Sequence, residues 1–162
     1  AVRGIVEGIS EEVFAPGTAV TRAEALAWLI RTLDVTAEAT DNFDDAAGNK
    51  YEKEIAIAKA LKITLGVGDN KFAQNRNITR QELMTLIDRA FDVIDKGLER
   101  GTKAELARFA DAAEIAPSAQ VSVATLVKSG IIIGTSDNRI NPLGNTTRAE
   151  TTVIMYRIYN KW

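Results

Sequence analysis

The string Thr-Arg-x-Glu occurs three times in this chain, at Thr21-Arg22-Ala23-Glu24, Thr79-Arg80-Gln81-Glu82 and Thr147-Arg148-Ala149-Glu150. Aligned on the Thr, other columns fall into register without gaps. Thirteen residues earlier stand Gly8, Gly66 and Gly134; seven earlier stand Phe14, Phe72 and Ile140. Pro16 and Pro142 coincide, with Gln74 between them, and Arg31, Arg89 and Arg157 follow each Glu by seven residues. Such self-similarity marks a repeat architecture, in which units too small to bury a core alone pack on one another.

Each repeat reads as helix, loop, helix. Phe43-Asp44-Asp45 and Phe109-Ala110-Asp111 open a Phe-x-Asp turn, and a first helix follows at about 51–62 and 117–129. A short apolar run ends in the shared glycine. A polar turn comes next, Asp69-Asn70-Lys71 or Ser136-Asp137-Asn138. A short extended piece then carries Phe72 or Ile140. The second helix opens at the Thr, because Thr-x-x-Glu is a capping box. Behind it, Leu26, Leu29, Ile30 and Leu33, then Leu83, Leu86, Ile87 and Phe91, then Val153, Ile154, Tyr156 and Ile158 read as core faces. Repeat one lacks the Phe-x-Asp half, and the chain starts inside its helical stretch. The expected organisation is repeat one over 1–35 (second half only), repeat two over 42–95 and repeat three over 107–162, together one compact module. Linkers are expected at 36–42 and 95–103.

Composition removes most chemistry. There is no cysteine and no histidine, so disulfides, thiolate or imidazole metal sites and His-dependent triads are excluded. Asp69-Asn70 lacks the Asp-x-Asp-x-Asp-Gly pattern of a calcium loop. No metal, cofactor or catalytic residue is expected, and recurring polar features argue against an enzyme, whose site is singular. A net charge of -2, from 20 basic and 22 acidic residues, offers nothing to nucleic acid. No apolar run reaches the roughly 18–20 residues that span a bilayer.

The motif arginine is the residue that capping does not explain. At the first helical position a cation meets the positive end of the helix dipole. Where bare N–H groups point outward, Arg and helix N-terminus together make a carboxylate or phosphate site. An inter-repeat salt bridge is the alternative. Tyr51 suits a repeat junction or a sugar face, and the three glycines suit a backbone requirement or close ligand approach.

These residues resemble the S-layer homology (SLH) motif. The resemblance rests on Gly4-Ile5-Val6-Glu7-Gly8, Phe14-Ala15-Pro16 and Val20-Thr21-Arg22-Ala23-Glu24, and on Gly130-Ile131-Ile132-Ile133-Gly134, Ile140-Asn141-Pro142 and Thr146-Thr147-Arg148-Ala149-Glu150. Repeat two keeps Ile78-Thr79-Arg80-Gln81-Glu82, with Lys62 at the first glycine and Gln74 at the proline. The family's early His-Trp pair is missing; repeat two has Tyr51 there and repeat three no aromatic. The resemblance implies a mainly α fold, with three pseudo-repeats of helix–loop–helix around a central helical bundle in a pseudo-threefold spindle. It implies a secreted module in the cell wall or S-layer of a bacterium. Its partner would be an acidic, pyruvylated secondary cell-wall polysaccharide, bound in grooves between repeats, with self-assembly left to the parent protein. Arg22, Arg80, Arg148, Gly8, Gly66, Gly134 and Tyr51 are the expected ligand-binding residues, and repeats two and three are expected to frame the better groove. A helical repeat scaffold for protein contact, its arginines in salt bridges, is the competing expectation.

Overall fold

A computed structural model describes residues 4–9 and 13–161. The expectation that the chain opens inside a helical stretch falls on residues 1–3, outside the described residues. The protein is mainly helical, and the described residues hold no β-strand beyond isolated bridges. Among the described residues six α-helices follow in order: α1 (Arg22–Thr32), α2 (Glu52–Ala60), α3 (Arg80–Val93), α4 (Lys103–Leu106), α5 (Gln120–Lys128) and α6 (Arg148–Tyr159). Single 3-10 turns precede α5 at Ala112–Glu114 and Pro117–Ala119, the latter with its proline at the first position.

Each second helix starts where its sequence says. Thr21, Thr79 and Thr147 are extended N-caps whose hydroxyls accept from the N–H of Glu24, Glu82 and Glu150. Those glutamates reach back to the Thr N–H at 3.2, 2.9 and 2.8 Å. The short α4 repeats the device at Thr102 and Glu105.

The helices fall into two compact units. The first joins residues 1–78 to 146–162, and the second holds Thr79–Asn145. In the first, α2 and α6 both pack on α1, whose residues from Ala25 to Ile30 are all buried. Three equivalent backbone positions there close a ring: Val20 donates to Thr146, Thr146 to Ile78 and Ile78 to Val20, at 2.9, 3.2 and 3.2 Å. All three side chains are fully buried, and the Thr146 hydroxyl has no hydrogen-bond partner among the described residues. In the second unit α3 packs on α5.

The Phe-x-Asp turn does two jobs. Asp45 accepts from the N–H groups of Phe72 and Ala73, both at 2.8 Å. Asp111 does the same for Ile140 and Asn141, at 2.9 and 2.8 Å. These contacts hold Ala73 and Asn141 at φ 58° and 54°, a left-handed conformation disfavoured for residues with a Cβ. The phenylalanines cover the shared glycines. A Cβ on Gly66 would lie 2.6 Å from Phe43 Cε1, and one on Gly134 2.5 Å from Phe109 Cε1. Both glycines also have positive φ, 74° and 86°, so only glycine fits.

The stretch 95–103, expected as a linker, joins α3 to α4 without a regular element of its own and is fastened to its neighbours. Arg100 binds both carboxylate oxygens of Asp88, at 2.7 and 2.8 Å, and Gly101 N–H donates to Thr125 Oγ1 at 3.1 Å. Gly101 is there because a Cβ would sit 2.2 Å from the Ala124 backbone. Val153 and Tyr156, read as core, are exposed on α6. Apolar periodicity selects a face but does not supply a neighbour to cover it.

Candidate functional site

The three motif arginines occupy one environment. Arg22, Arg80 and Arg148 are 4%, 8% and 1% exposed. Their Nε atoms donate to the carbonyls of Phe72, Ile140 and Phe14, at 2.9, 2.7 and 2.8 Å. These acceptors are the large apolar column of the repeat, always from a different copy. The Arg22 guanidinium lies 4.8 Å from the Phe72 ring centroid, and that of Arg148 lies 5.1 Å from Phe14 and 5.0 Å from Trp28. Arg148 also binds the Glu24 carboxylate and the Glu7 carbonyl through its two terminal nitrogens.

The helix N-termini are not bare. The first two N–H groups of α1 donate to Arg76 and Gln74, at 2.8 and 3.2 Å; those of α3 to Gly144 and Pro142, at 2.9 and 3.0 Å; those of α6 to Thr18 and Pro16, at 2.8 and 3.0 Å. The third N–H of each goes to the cap hydroxyl. Donors that a helix start leaves open are therefore filled by carbonyls of another repeat's extended piece. A cation at the first helical position is tolerated because its guanidinium turns to the same carbonyl-rich segment.

An open pocket of about 330 Å³ lies in the first unit, lined by Gly8, Thr21, Glu24, Lys50, Tyr51 and Asn75 among others. It brings together two predicted residues, Gly8 and Tyr51, far apart in sequence. The walls come from repeats one and two, not from two and three. Gly66 and Gly134 stand at their turns beneath Phe43 and Phe109. Trp28 is fully buried under Arg148 and offers no ring to a ligand.

Lys50 was hidden from sequence reasoning as one of several mixed charges around 50–53. Its side chain is 58% exposed and lines the pocket beside Tyr51, with Nζ 5.0 Å from the ring centroid. Nζ also meets Glu7 Oε2 at 2.5 Å. Glu7 Oε1 in turn meets Arg31 Nη1 at 2.6 Å, and Arg31 reaches Glu54 of α2 at 2.8 Å. The Arg31 guanidinium sits 5.4 Å from the Tyr51 ring. Hydrogen bonds from Lys50 and then Arg31 hold the Glu7 carboxyl below its ordinary range. The Glu7 bond raises the Lys50 ammonium above its own, and burial raises the Tyr51 hydroxyl. The pocket thus combines a Tyr51 side chain that is only 5% exposed, the residues Asn49 and Asn75, and an ammonium held charged. That mixture suits a polar ligand with hydroxyls and negative charge.

Among the described residues, no cluster of His, Cys, Asp or Glu could hold a metal ion, and no helix is long and apolar enough to cross a membrane.

Residues 3–26, 42–84 and 108–152 match the S-layer homology domain model. The chain is 35% identical to an amylopullulanase of Thermoanaerobacterium thermosulfurigenes, over 99% of this chain and 9% of that protein. It is 30% identical to a surface-layer 125 kDa protein of Lysinibacillus sphaericus, over 95% and 13% respectively, and 31% identical to an S-layer protein of Bacillus thuringiensis subsp. finitimus, over 91% and 18%. The chain therefore spans less than a fifth of each of these relatives, and the part it matches is a surface-anchoring module, not a catalytic one. Three family matches in one chain, on the three copies that the Thr-Arg-x-Glu corners define, make it a member of the S-layer homology domain family, from the secreted, cell-wall-associated proteins of bacteria.

Proposed function

We propose that this module fastens a larger surface protein non-covalently to the bacterial cell wall by binding an acidic, pyruvylated secondary cell-wall polysaccharide. The observation that carries the reading is the pocket of the first unit. It sets Tyr51, Gly8 and the exposed Lys50 ammonium around a space of about 330 Å³. Lys50 is the cation that meets a ligand carboxylate in this reading, and Gly8 and the small accessible part of Tyr51 line the space beside it. Gly66 and Gly134 mark the equivalent turns of the other copies. There Ala119 stands in the Tyr51 column and Ser118 in the Lys50 column of repeat three, which makes the Tyr51 pocket the primary groove.

The arginines enter this reading as positioning residues. Within the first unit Arg22 and Arg148 tie α1 and α6 to another copy's extended piece and so hold the segments that carry the pocket; Arg80 makes the equivalent tie within the second unit. The scaffold alternative draws on the same fact, since the Arg148–Glu24 pair is a buried inter-repeat salt bridge. A pseudo-threefold arrangement around a central bundle is part of the proposal. It is supported by the backbone ring of Val20, Ile78 and Thr146 within the first unit.

The experiment is a calorimetric titration of the full chain with purified wall polysaccharide, native and after mild-acid removal of pyruvyl groups. Binding to the native polymer alone, weakened as salt rises, is expected. Equal affinity for both polymers would remove the acidic-ligand reading, and binding to neither would remove glycan anchoring.

A further inference from the structure

We propose that Glu7 is a specificity-determining residue of the Tyr51 pocket: its carboxylate occupies Lys50 as a built-in competitor, so that only a ligand bringing its own carboxylate takes the ammonium over. This rests on the reading of the pocket as the acidic-glycan site. The competitor is in place in the free protein. Glu7 Oε2 meets Lys50 Nζ at 2.5 Å, and it is Lys50, not Glu7, that lines the pocket.

The pairing belongs to one copy. The residue ahead of the shared glycine is Glu7 in repeat one, Leu65 in repeat two and Ile133 in repeat three. Both aliphatics are more than half exposed, so the column faces solvent and the fold does not ask for a charge there. The Lys50 column of repeat three holds Ser118. Arginine, by contrast, recurs in the Arg31 column as Arg89 and Arg157. The carboxylate thus accompanies the pocket ammonium, not the shared arginine.

The remaining bonds of Glu7 make an exchange feasible. Its backbone carbonyl accepts from Arg148 Nη2, which pins the chain beside Gly8 whatever the side chain does. Its other carboxylate oxygen, Oε1, meets Arg31 Nη1 at 2.6 Å, and Arg31 is itself anchored to Glu54 of α2 at 2.8 Å. When Lys50 turns to a ligand, Arg31 keeps Glu7 paired and out of the pocket. The Glu7–Lys50 pair is solvent-exposed and therefore weak enough to break. A ligand carboxylate replaces the lost charge pairing in kind. A neutral glycan hydroxyl does not, so an uncharged polymer is left facing an ammonium already taken, and the discrimination comes from what the wrong ligand cannot displace. Hydrogen bonds from Lys50 and then Arg31 keep the Glu7 carboxyl below its ordinary range, so the competitor is fully charged at neutral pH.

The test is a double-mutant cycle on the full chain, read by calorimetric titration with the native wall polysaccharide and with the depyruvylated polymer. Glu7→Gln should bind the native polymer about fivefold more tightly than the parent, the effect of removing one exposed ion pair from the competition. Added to Lys50→Gln, the same substitution should leave affinity unchanged, because the competitor acts only through Lys50. An affinity of Glu7→Gln equal to the parent's overturns the proposal, and so does a lower one, which would make Glu7 the residue that holds Lys50 ready for the ligand. An equal gain with and without Lys50 also overturns it, since that is the general effect of removing a negative charge near an anion site. In each of these cases a parent that still binds only the native polymer leaves the acidic-ligand reading of the pocket intact. A parent that binds both polymers alike, or neither, removes that reading and the proposal with it.

Discussion

The first unit holds two charge clusters that meet at Glu7, whose carbonyl belongs to one and whose carboxylate belongs to the other, and that differ in burial. At one, Arg148 is 1% exposed, stacked on Trp28 and Phe14, and its guanidinium nitrogens go to Glu24 and two backbone carbonyls. At the other, Lys50, Glu7 and Arg31 form a chain of ion pairs at the rim of an open pocket. A fully buried, fully bonded guanidinium is part of the fold. A half-exposed ammonium with one carboxylate partner can exchange that partner for a ligand. Recurrence of a charged residue in every repeat is therefore no guide to which cluster binds.

The buried cluster gives the largest expected effect. Arg148→Ala strands the Glu24 carboxylate, the Phe14 and Glu7 carbonyls and a cavity beside Trp28, and should cost about 3–5 kcal/mol. Arg148→Lys should recover only part of that, because an ammonium cannot reproduce the planar fork. Urea unfolding of the three proteins measures this. A loss below about 0.5 kcal/mol, the level of an ordinary surface change, would return Arg148 to the candidate ligand contacts and erase the contrast.

Asp45 lies between the extremes. Burial pushes its carboxyl up, but the Phe72 and Ala73 N–H groups outweigh that and leave its pKa lowered. A carboxylate depressed in the folded state contributes stability that is complete above its unfolded value, near 3.8, and is lost as pH falls through the folded value. Asp45→Ala should cost about 1–3 kcal/mol at neutral pH by leaving two donors unmet. It should also flatten the decline in stability below about pH 4. Parallel acid slopes for variant and parent would show that the Asp45 clamp does not set this dependence.

These contrasts also separate what the sequence could state from what it could not. The helix starts were legible because a capping box is complete within four residues. The need for glycine at 66 and 134 was legible too, and its cause, the rings of Phe43 and Phe109, belongs to the shared Phe-x-Asp turn. The partners of the arginines were not. Their acceptors are backbone carbonyls 50, 60 and 134 residues away, and a carbonyl has no side-chain signature. Filling of the helix N-termini by carbonyls was invisible for the same reason. Lys50 was lost among neighbouring charges of both signs, since only the approach of Gly8 and Glu24 creates the pocket around it. The α6 face was misread in the opposite direction. Its apolar residues are spread around the helix with a weaker periodicity than those of α1, so the sequence did not say which of them a neighbour covers.

The smallest expected change in stability tests the binding half of the contrast. Lys50 keeps one ion pair, to Glu7, at a rim where solvent screens it, and Glu7 retains Arg31 as a second partner. Lys50→Gln should therefore shift stability by no more than about 0.5 kcal/mol, the range of exposed pairs. A charge-assisted bond to a ligand carboxylate contributes more, about 1.5–3 kcal/mol, or roughly one to two decades of affinity. The variant should melt with the parent and yet bind the pyruvylated polymer at least about tenfold more weakly, with a shallower salt dependence. The depyruvylated polymer supplies the control, because it lacks the carboxylate and should treat parent and variant alike. If Lys50→Gln binds the native polymer as the parent does, the rim cluster is no more a ligand contact than the buried one, and the acidic group must be met elsewhere on the module.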